Sequence, residues 1–311
     1  IMVGNSGQIN KLSGTNYTNL NAPTNSSIHA VAVSDSGVYV AVGDLGTILT
    51  SNDRISWTAV ASNTSNNLRG VAVQDGGVFV AVGDNGKILR SQDSGKTWAS
   101  VTSPTTKRLN AVTTTYSGSG GFFAVGESGT VLRSNNGINW SIDQSVTASS
   151  LNGIASFASR LIAIGDAGTI ITTDGGNAWT LQAKQSSNNL YGVAISNPTS
   201  GSGLAIAVGA NGYVIRSEGF TTWTKDTNLK TAETLYGISS NGNNFVIVGS
   251  AGDIFTSLDN GNSWSNNYND SSDTVINTVT INSDGQAVAM GNSGLVIKSV
   301  TGLTTWLKTN K

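Results

Sequence analysis

The chain of 311 residues contains no cysteine and a single histidine, His29. The absence of cysteine excludes disulfide bonds, thiol catalysis and thiolate metal sites. A Ser-His-Asp hydrolase would have to use His29, and no serine lies in a nucleophile-elbow sequence. The sequence therefore disfavours the common nucleophilic enzymes, and no catalytic residue is assigned.

Charged residues and long apolar segments are also scarce. Only 11% of residues are charged, the net charge is −1, and no basic run is present that would bind a phosphate backbone. No run approaches the roughly 20 apolar residues of a membrane helix. Nucleic acid is therefore not an expected partner, and membrane insertion is not expected. Asparagine, serine, threonine and glycine must supply the polar surface, which suits an exported protein that is extracellular, at the cell surface or periplasmic.

Glycine is abundant, with 38 residues, and much of it belongs to a repeat. A Val-Gly-x-x-Gly segment, with Ile or Met replacing Val in two copies, recurs at intervals of 39 to 44 residues. Its first glycines are Gly4, Gly43, Gly83, Gly126, Gly165, Gly209, Gly249 and Gly291. The seven tryptophans fall one in each of the last seven copies. A period near 40 residues with strand patterning is typical of a propeller blade.

Four short strand-like segments can be recognised within a copy. In the third copy they are residues 69–73, 78–82, 87–91 and 98–101, each rich in β-branched or aromatic residues and bounded by turn formers. No segment shows helical periodicity. We therefore predict an all-β fold: a single β-propeller domain over residues 1–311, built of four-stranded antiparallel blades.

The eight copies of the turn predict eight blades. The first copy starts at its second strand, with Ile1-Met2-Val3-Gly4, so we expect the first blade to be incomplete and to lack its innermost strand. A segment before Ile1, or a strand from a partner chain, could complete that blade. The alternative is seven complete blades from about residue 28 to residue 308, with residues 1–27 outside them or completing the last blade.

A second turn follows the third strand of each copy and ends in the tryptophan. Its complete form, Ser-x-Asp-x-Gly-x-x-Trp, resembles the Asp-box of bacterial-neuraminidase-type (BNR) repeats. The complete copies are formed by Ser91, Asp93, Gly95 and Trp98, and by Ser257, Asp259, Gly261 and Trp264. We expect a structural role, because Ser and Asp can satisfy backbone amides, Gly can take a positive φ and Trp can pack between blades.

Together, the Val-Gly-x-x-Gly turn, the third strand and the Asp-box resemble the photosystem II stability/assembly factor family of β-propellers. The resemblance extends over nearly the whole chain. It implies a role in protein binding during assembly of a membrane complex, a role associated with a basic surface patch. A sialidase, also suggested by the Asp-box, would need an arginine cluster, a Tyr–Glu pair and a general acid. The Arg-Ile-Pro segment typical of such enzymes is absent, so this reading is disfavoured.

Acidic residues follow the first glycine of the turn in four successive copies: Asp44, Asp84, Glu127 and Asp166. A ring of carboxylates could hold a cation, but Asp-x-Gly also forms good hairpin turns. Ala210 and Ser250 take the same position, so we expect a turn-forming role, with no metal and no cofactor. Basic residues near the end of the third strand are expected on a solvated rim: Arg90, Arg133, Arg216 and Lys298.

One position, just before the predicted first strand, varies while its neighbours stay apolar or small. Its residues, called the column below, are His29, Arg69, Asn110, Asn152, Tyr191, Tyr236 and Asn277. Because first strands line the central channel of a propeller, we expect the column to ring one mouth of that channel. Such residues are favoured in adaptable contacts, so the column is the predicted ligand-binding site. The alternative is a polar, solvated channel entrance.

These observations favour a non-enzymatic, exported binding or scaffold module that engages a protein or a glycan through one loop face of the propeller. Two alternatives remain at this stage. One is a structural subunit of an extracellular surface assembly. The other is a glycosidase-like enzyme, which would require a convergent pair of carboxylates with perturbed pKa values at the channel mouth.

Overall fold

The computed structural model describes residues 1–13, 16–115, 120–143, 145–176, 178–196, 203–269 and 274–309. These residues form short β-strands joined by turns and loops, and the all-β prediction is confirmed. Among them, no helix has the length and apolar character required to span a bilayer. The fold is a β-propeller of eight blades, each an antiparallel sheet whose strands are paired in chain order.

The first four blades are defined by the following strands. Blade 1 consists of β1 (Met2–Val3), β2 (Ile9–Ser13) and β3 (Asn16–Leu20); blade 2 of β4 (Ile28–Val33), β5 (Tyr39–Gly43), β6 (Ile48–Ser51) and β7 (Thr58–Ala59); blade 3 of β8 (Leu68–Gln74), β9 (Val78–Gly83), β10 (Ile88–Ser91) and β11 (Ala99–Val101); and blade 4 of β12 (Leu109–Thr114), β13 (Phe122–Gly126), β14 (Val131–Ser134) and β15 (Ser141–Ile142).

The last four blades each have four strands. Blade 5 consists of β16 (Leu151–Phe157), β17 (Arg160–Gly165), β18 (Ile170–Asp174) and β19 (Thr180–Leu181); blade 6 of β20 (Leu190–Ser196), β21 (Leu204–Gly209), β22 (Val214–Glu218) and β23 (Thr224–Lys225); blade 7 of β24 (Leu235–Asn241), β25 (Asn244–Gly249), β26 (Ile254–Ser257) and β27 (Ser265–Tyr268); and blade 8 of β28 (Ile276–Ile281), β29 (Ala287–Gly291), β30 (Val296–Thr301) and β31 (Thr305–Lys308).

The chain divides into two compact units. Unit 1 comprises Ile1–Ser13, Tyr17–Ala163 and Thr173–Thr180, and unit 2 comprises Gly14–Asn16, Ile164–Thr172 and Leu181–Lys311. The boundary falls within the part of the chain that forms blade 5. The prediction that residues 1–311 form a single domain stays a prediction.

The blade count agrees with the eight copies of the repeat. β1, β2 and β3 form a three-stranded sheet of their own, while each of the other seven sheets has four strands. Within the described part of the chain, the first blade therefore lacks the strand that is innermost elsewhere, as predicted, and the seven-blade alternative is wrong. That a partner strand completes this blade stays a prediction.

The hydrophobic core lies between neighbouring blades within each unit. Val40 and Ile48 of blade 2 pack in one cluster with Phe79, Leu89 and Trp98 of blade 3, and all five are at least nine-tenths buried. Equivalent clusters join blades 1 and 2, 3 and 4, 6 and 7, and 7 and 8. Because a middle strand contacts apolar neighbours on both faces, it is apolar at consecutive positions rather than at alternate ones.

The Val-Gly-x-x-Gly segment forms a turn with two successive left-handed residues. In blade 3, Asn85 has φ 56° and Gly86 has φ 65°, and Lys87 N–H donates to the Asp84 carbonyl at 3.0 Å. Such a turn matches the twist of a hairpin. A short 3-10 segment marks the turn in every blade: Asn5–Gly7, Asp44–Gly46, Asp84–Gly86, Glu127–Gly129, Asp166–Gly168, Ala210–Gly212, Ser250–Gly252 and Asn292–Gly294.

Both glycines of this turn are required by close contact with other backbone. A Cβ at Gly83 would overlap the carbonyl oxygen of Asn67, which precedes the first strand of the same blade. A Cβ at Gly86 would overlap the carbonyl oxygen of Thr105, in the loop that leads to blade 4. Asp84 N–H also donates to the Asn67 carbonyl at 2.9 Å. The turn thus holds both the start of its own blade and the approach to the next.

We expect Gly86→Ala to destabilise the protein by about 3 kcal/mol or more, because it adds a backbone overlap to an unfavourable φ. Gly76→Ala is the matched control, since Gly76 has φ 80° and nothing lies within 4 Å of an added Cβ. The control should lose only about 1–2 kcal/mol. Chemical denaturation measures both free energies of unfolding, and equal losses would contradict the role of the backbone contact.

Candidate functional site

All seven column residues lie at the second position of the first strand, one residue inside it rather than before it as predicted. The residue that precedes each is buried and at most 3% exposed. The column residues themselves are half-buried or exposed. A buried apolar anchor is therefore followed, in seven blades, by an accessible side chain whose chemistry changes from blade to blade.

A β-bulge occurs at the column residue in six of these strands. In blade 3, Leu68 pairs with Gly83 and Gly70 pairs with Val82, so Arg69 is the extra residue without a partner in the ladder. A bulge redirects the side chain of the extra residue and is common beside functional sites. The fold thus leaves this position free of the pairing constraints on the rest of the strand.

In unit 1 two of the column residues contact the acids of the first turn. His29 Nε2 lies 2.6 Å from Asp44 Oδ1. Arg69 donates from Nε to Asp84 Oδ1 at 2.5 Å and from Nη2 to Oδ2 at 3.2 Å, a bidentate pair. In both blades the partners are 15 residues apart along the chain. The column and the acidic turn position, considered separately in the sequence, are therefore neighbours in space.

In blade 4 the acid of the first turn pairs with a residue outside the column. Arg108 Nη2 lies 3.1 Å from Glu127 Oε1, and Glu127 Oε2 accepts the Arg108 backbone N–H at 3.3 Å. The column residue Asn110 instead donates from Nδ2 to the Leu151 carbonyl of the next first strand, at 2.8 Å. Sequence analysis did not identify Arg108, although its position one residue before the buried Leu109 could have suggested it.

The contact with Arg69 affects the pKa of Asp84, and the contacts of the first-turn acids bear on whether these acids could hold a metal ion. The Arg69 guanidinium, by its hydrogen bond, holds the pKa of the Asp84 carboxyl below its usual value. Within the described residues, no three or more His, Asp or Glu side chains are grouped so that they could hold a metal ion. In blades 3 and 4 the carboxylates are thus engaged by arginines of the chain, and in blade 2 Asp44 is hydrogen-bonded to His29.

In unit 2 the column residues are uncharged, and two of the three are aromatic. The rings of Tyr191 and Tyr236 lie 5.8 Å apart between centroids, tilted by 33°. Asn277 Nδ2 donates to Asn292 Oδ1 at 2.8 Å, which repeats the contact between column and turn seen in unit 1. Nearby, the loop residue Glu233, which sequence analysis did not identify, accepts a hydrogen bond from the turn residue Ser250. The two units therefore present different chemistry at equivalent positions.

Neighbouring column residues are brought together in pairs, as Tyr191 and Tyr236 show. Asn152 also has a partner within the described structure. That all seven residues ring one channel mouth, and that they bind a ligand, stay predictions.

The turn between third and fourth strands, called the box turn below, is held by its own side chains. In blade 3, Ser91 Oγ donates to Asp93 Oδ1 at 2.7 Å and accepts Gly95 N–H at 2.9 Å. Asp93 accepts the backbone N–H and the hydroxyl of Thr97, at 2.9 and 2.5 Å. Trp98 Nε1 donates to the Gly95 carbonyl at 3.1 Å. Every one of these contacts is local, so the turn serves the fold.

Blade 7 contains the second complete copy. Ser257 Oγ donates to Asp259 Oδ1 at 2.8 Å and accepts Gly261 N–H at 2.8 Å, while Ser263 donates to both carboxylate oxygens of Asp259. Trp264 Nε1 instead lies 3.4 Å from Asp226 Oδ2, in the preceding blade. The carboxylate network is the same as in blade 3, but the tryptophan here also links two blades.

The basic residues of the third strand extend to the box turn of the next blade. Arg90 Nε donates to the Asn136 carbonyl at 3.0 Å, Arg133 Nη1 to Gly176 at 3.3 Å and Arg216 Nη1 to Gly261 at 2.9 Å. Arg133 is exposed, as expected for a solvated rim, whereas Arg216 is largely buried. The long arginine side chain reaches the next blade. The sequence pattern of one blade cannot reveal an acceptor that lies in another blade.

The box turns that depart from the complete sequence differ in whether their polar groups have hydrogen-bond partners. In blade 6 the position of the aspartate is taken by Gly219, and within the described residues neither Ser217 Oγ nor Trp223 Nε1 has a hydrogen-bond partner, although both atoms are buried. In blade 4, Asn136 replaces the aspartate and its Oδ1 still accepts two backbone amides, from Ile138 and Asn139.

Comparisons with known proteins agree with the fold. The family model of the DUF6242 beta propeller domain matches residues 71–190. No curated protein is significantly similar to the chain in sequence. A solved structure of YCF48 bound to a D1 peptide is 18% identical, with 90% of this chain and 95% of that chain covered and a TM-score of 0.70.

Two further structures are similar in the same way. YCF48 from Cyanidioschyzon merolae is 17% identical over 90% of this chain and 97% of that chain, with a TM-score of 0.69. The C-terminal WD40 domain of Sif2 is 12% identical over 96% of this chain and 92% of that chain, with a TM-score of 0.75. At these identities the likeness shows a shared propeller fold.

The two serines of the box turns should respond differently to substitution. Ser91→Ala removes a donor and leaves the Gly95 amide without its acceptor, so we expect a loss of about 1–3 kcal/mol in the free energy of unfolding. Ser217→Ala removes a buried hydroxyl that has no hydrogen-bond partner in the described structure, so its effect should lie within about 0.5 kcal/mol of zero or be stabilising. Chemical denaturation distinguishes these outcomes, and equal losses would contradict the hydrogen-bond assignment.

The carboxylate of Asp93 should make the free energy of unfolding depend on pH in the acidic range. Burial would raise its pKa, but hydrogen bonds from the Thr97 side chain and backbone and from Ser91 outweigh it and lower the pKa to about 2. Since the unfolded value is about 3.9, this contribution is complete above the unfolded pKa and is lost as the pH falls through the folded pKa. Asp93→Asn should therefore be destabilising at neutral pH, with a deficit that shrinks between about pH 4 and pH 2.

Unfolding titrations at several pH values measure this deficit. The exposed Asp75 provides a charge-matched control, because Asp75→Asn removes the same charge outside any box turn. A deficit for Asp93→Asn that does not change with pH would show that the ionised carboxylate has no special role in the turn.

Proposed function

We propose that this chain is a non-catalytic binding module that engages a protein partner through its column residues. The observation that supports this proposal is the repeated pairing of a buried anchor with an accessible bulge residue of changing chemistry. A frame that stays constant while its exposed residues vary is what a recognition surface requires. Tyrosine, arginine and asparagine are also well suited to protein recognition.

A polypeptide ligand is the version of the proposal that we favour over a glycan. One structurally similar propeller, YCF48, has been solved bound to a D1 peptide. We extend to this chain only the general idea that a propeller of this kind can bind a peptide. The chemistry expected of the partner is instead inferred from the column residues of this chain, which differ between the two units.

The absence of catalysis is part of the proposal and is supported by the state of the acids. A glycosidase needs a carboxylic acid with a raised pKa opposite a second carboxylate. Asp84 is engaged by Arg69 and its pKa is lowered, which favours the ionised form that cannot act as a general acid. Asp44 and Glu127 are likewise engaged, by His29 and Arg108.

We also propose that the protein is exported and works outside the cytoplasm, on its own or as part of a surface assembly. The support is its composition: charge is low, cysteine is absent, and Asn, Ser and Thr form much of the polar surface. The partner should therefore be sought first in envelope and extracellular fractions of the source organism.

Affinity capture with immobilised protein tests the binding proposal. The variants are Arg69→Ala for unit 1 and the double variant Tyr191→Ala/Tyr236→Ala for unit 2. Arg160→Ala, which removes a basic residue outside the column, is the matched control. A partner retained by the wild type and the control should be lost by at least one column variant, with affinity weakened about tenfold, or about 1.4 kcal/mol.

Equal capture by all four proteins would overturn the assignment of the column. Glycan-array binding without any captured protein would replace the protein partner by a carbohydrate. Turnover of a glycoside that is abolished by substitution of a single acid would show that the module is an enzyme.

A further inference from the structure

The two tyrosines of unit 2 differ from most of the column in having their polar groups unused. Within the described residues, neither the Tyr191 nor the Tyr236 hydroxyl makes a hydrogen bond, whereas the side chains of His29, Arg69 and Asn110 all do. Both tyrosines are half-buried. Their rings thus contact each other and remain partly accessible.

The backbone brings these two rings together. Each tyrosine is followed by a glycine, and a Cβ at Gly192 would lie 3.1 Å from the Tyr236 carbonyl oxygen. Since real Cβ atoms seldom approach so closely, the glycine allows neighbouring first strands to pack at short range. The result is a continuous aromatic surface formed by two blades.

A carboxylate occurs in the loop that leads to the strand of Tyr236. Glu233 Oε2 accepts the Ser250 hydroxyl at 2.6 Å, and Ser250 occupies the first-turn position of the blade that carries Tyr236. In blades 2, 3 and 8 the residues at the turn and column positions are hydrogen-bonded to each other. The turn position therefore adjoins the column in those blades, and in the blade of Tyr236 it is hydrogen-bonded to the Glu233 carboxylate.

Glu233 differs from the first-turn acids of blades 3 and 4 in its lack of a cation. Asp84 and Glu127 each form an ion pair with an arginine. Among the residues that the structure describes, no basic side chain pairs with Glu233, not even Lys230 in the same loop. The carboxylate of Glu233 is thus left without an ion-pair partner in the described structure.

We propose that Tyr191, Tyr236 and Glu233 form a subsite for a lysine or arginine side chain of the protein partner. A cation over a tyrosine face is attracted by the ring quadrupole, and the adjacent carboxylate adds an ion pair. An acidic or phosphorylated group would be repelled by both features. The inference rests on the proposed function, since it names the chemistry of the partner at one part of the same surface.

Titration with short peptides tests this subsite without the natural partner. The probe is the acetylated and amidated pentapeptide Gly-Ser-Arg-Ser-Gly, and the matched probe contains glutamine in place of arginine. Binding is followed by NMR through the ring resonances of labelled tyrosine in the full chain. We expect the arginine peptide to shift the tyrosine resonances, with weaker binding at high salt, and the glutamine peptide to have no effect.

Variants of the protein then show which side chains contribute to binding of the arginine peptide. Tyr191→Ala/Tyr236→Ala and Glu233→Gln should each weaken binding of the arginine peptide about threefold or more. Glu218→Gln is the charge-matched control, because Glu218 is a largely exposed acid at the end of β22. This variant should bind the arginine peptide as the wild type does. Tyr191→Phe/Tyr236→Phe keeps the rings and should keep most of the affinity, which separates ring loss from misfolding.

Equal binding of the two peptides, or unchanged affinity in Glu233→Gln, would overturn the cationic subsite. This failure can be distinguished from failure of the proposed function. A partner whose capture depends on Arg69, together with no response to the arginine peptide, would leave the binding module intact and remove only the subsite.

Discussion

Contact between backbone segments at the first turn is the constraint on which the rest of the structure depends. At Gly83 and Gly86 two carbonyl oxygens occupy the space where side chains would begin. One belongs to the approach to the blade itself and the other to the approach to the next. Because both approaches are fixed by the same turn, each first strand starts at a defined place and its second residue becomes the bulge. The accessible column is therefore a geometric consequence of the turn.

A second level of organisation is supplied by side chains that cross from one blade to the next. Arg90, Arg133 and Arg216 donate to carbonyl groups of the following box turn, and Trp264 contacts Asp226 of the preceding blade. The apolar clusters lie at the same interfaces. Polar and apolar interactions therefore both stabilise a blade against its neighbours.

Much of the fold could be predicted from the sequence because it is encoded locally. The turn residues, the spacing of the tryptophans and the apolar strands predicted eight blades and an incomplete first one, as found. The contacts of the candidate site were harder to predict. The pairing of Arg69 with Asp84 depends on a bulge, which a strand pattern does not show, and the partners of Arg108 and Arg216 depend on long side chains whose direction is set by tertiary structure. The contact of Glu233 with Ser250 depends on the path of a loop.

The ion pairs of blades 2 and 3 are each formed within a single repeat, between a residue of the first strand and one 15 positions later. In each of these repeats the acid of the first turn thus finds its partner within the same repeat. Duplication of such a repeat during evolution would carry both partners together and leave the corresponding contacts of the existing blades undisturbed. An exchange of both partners, as in the Asn277 and Asn292 pair of blade 8, could then alter one blade without requiring changes in the others.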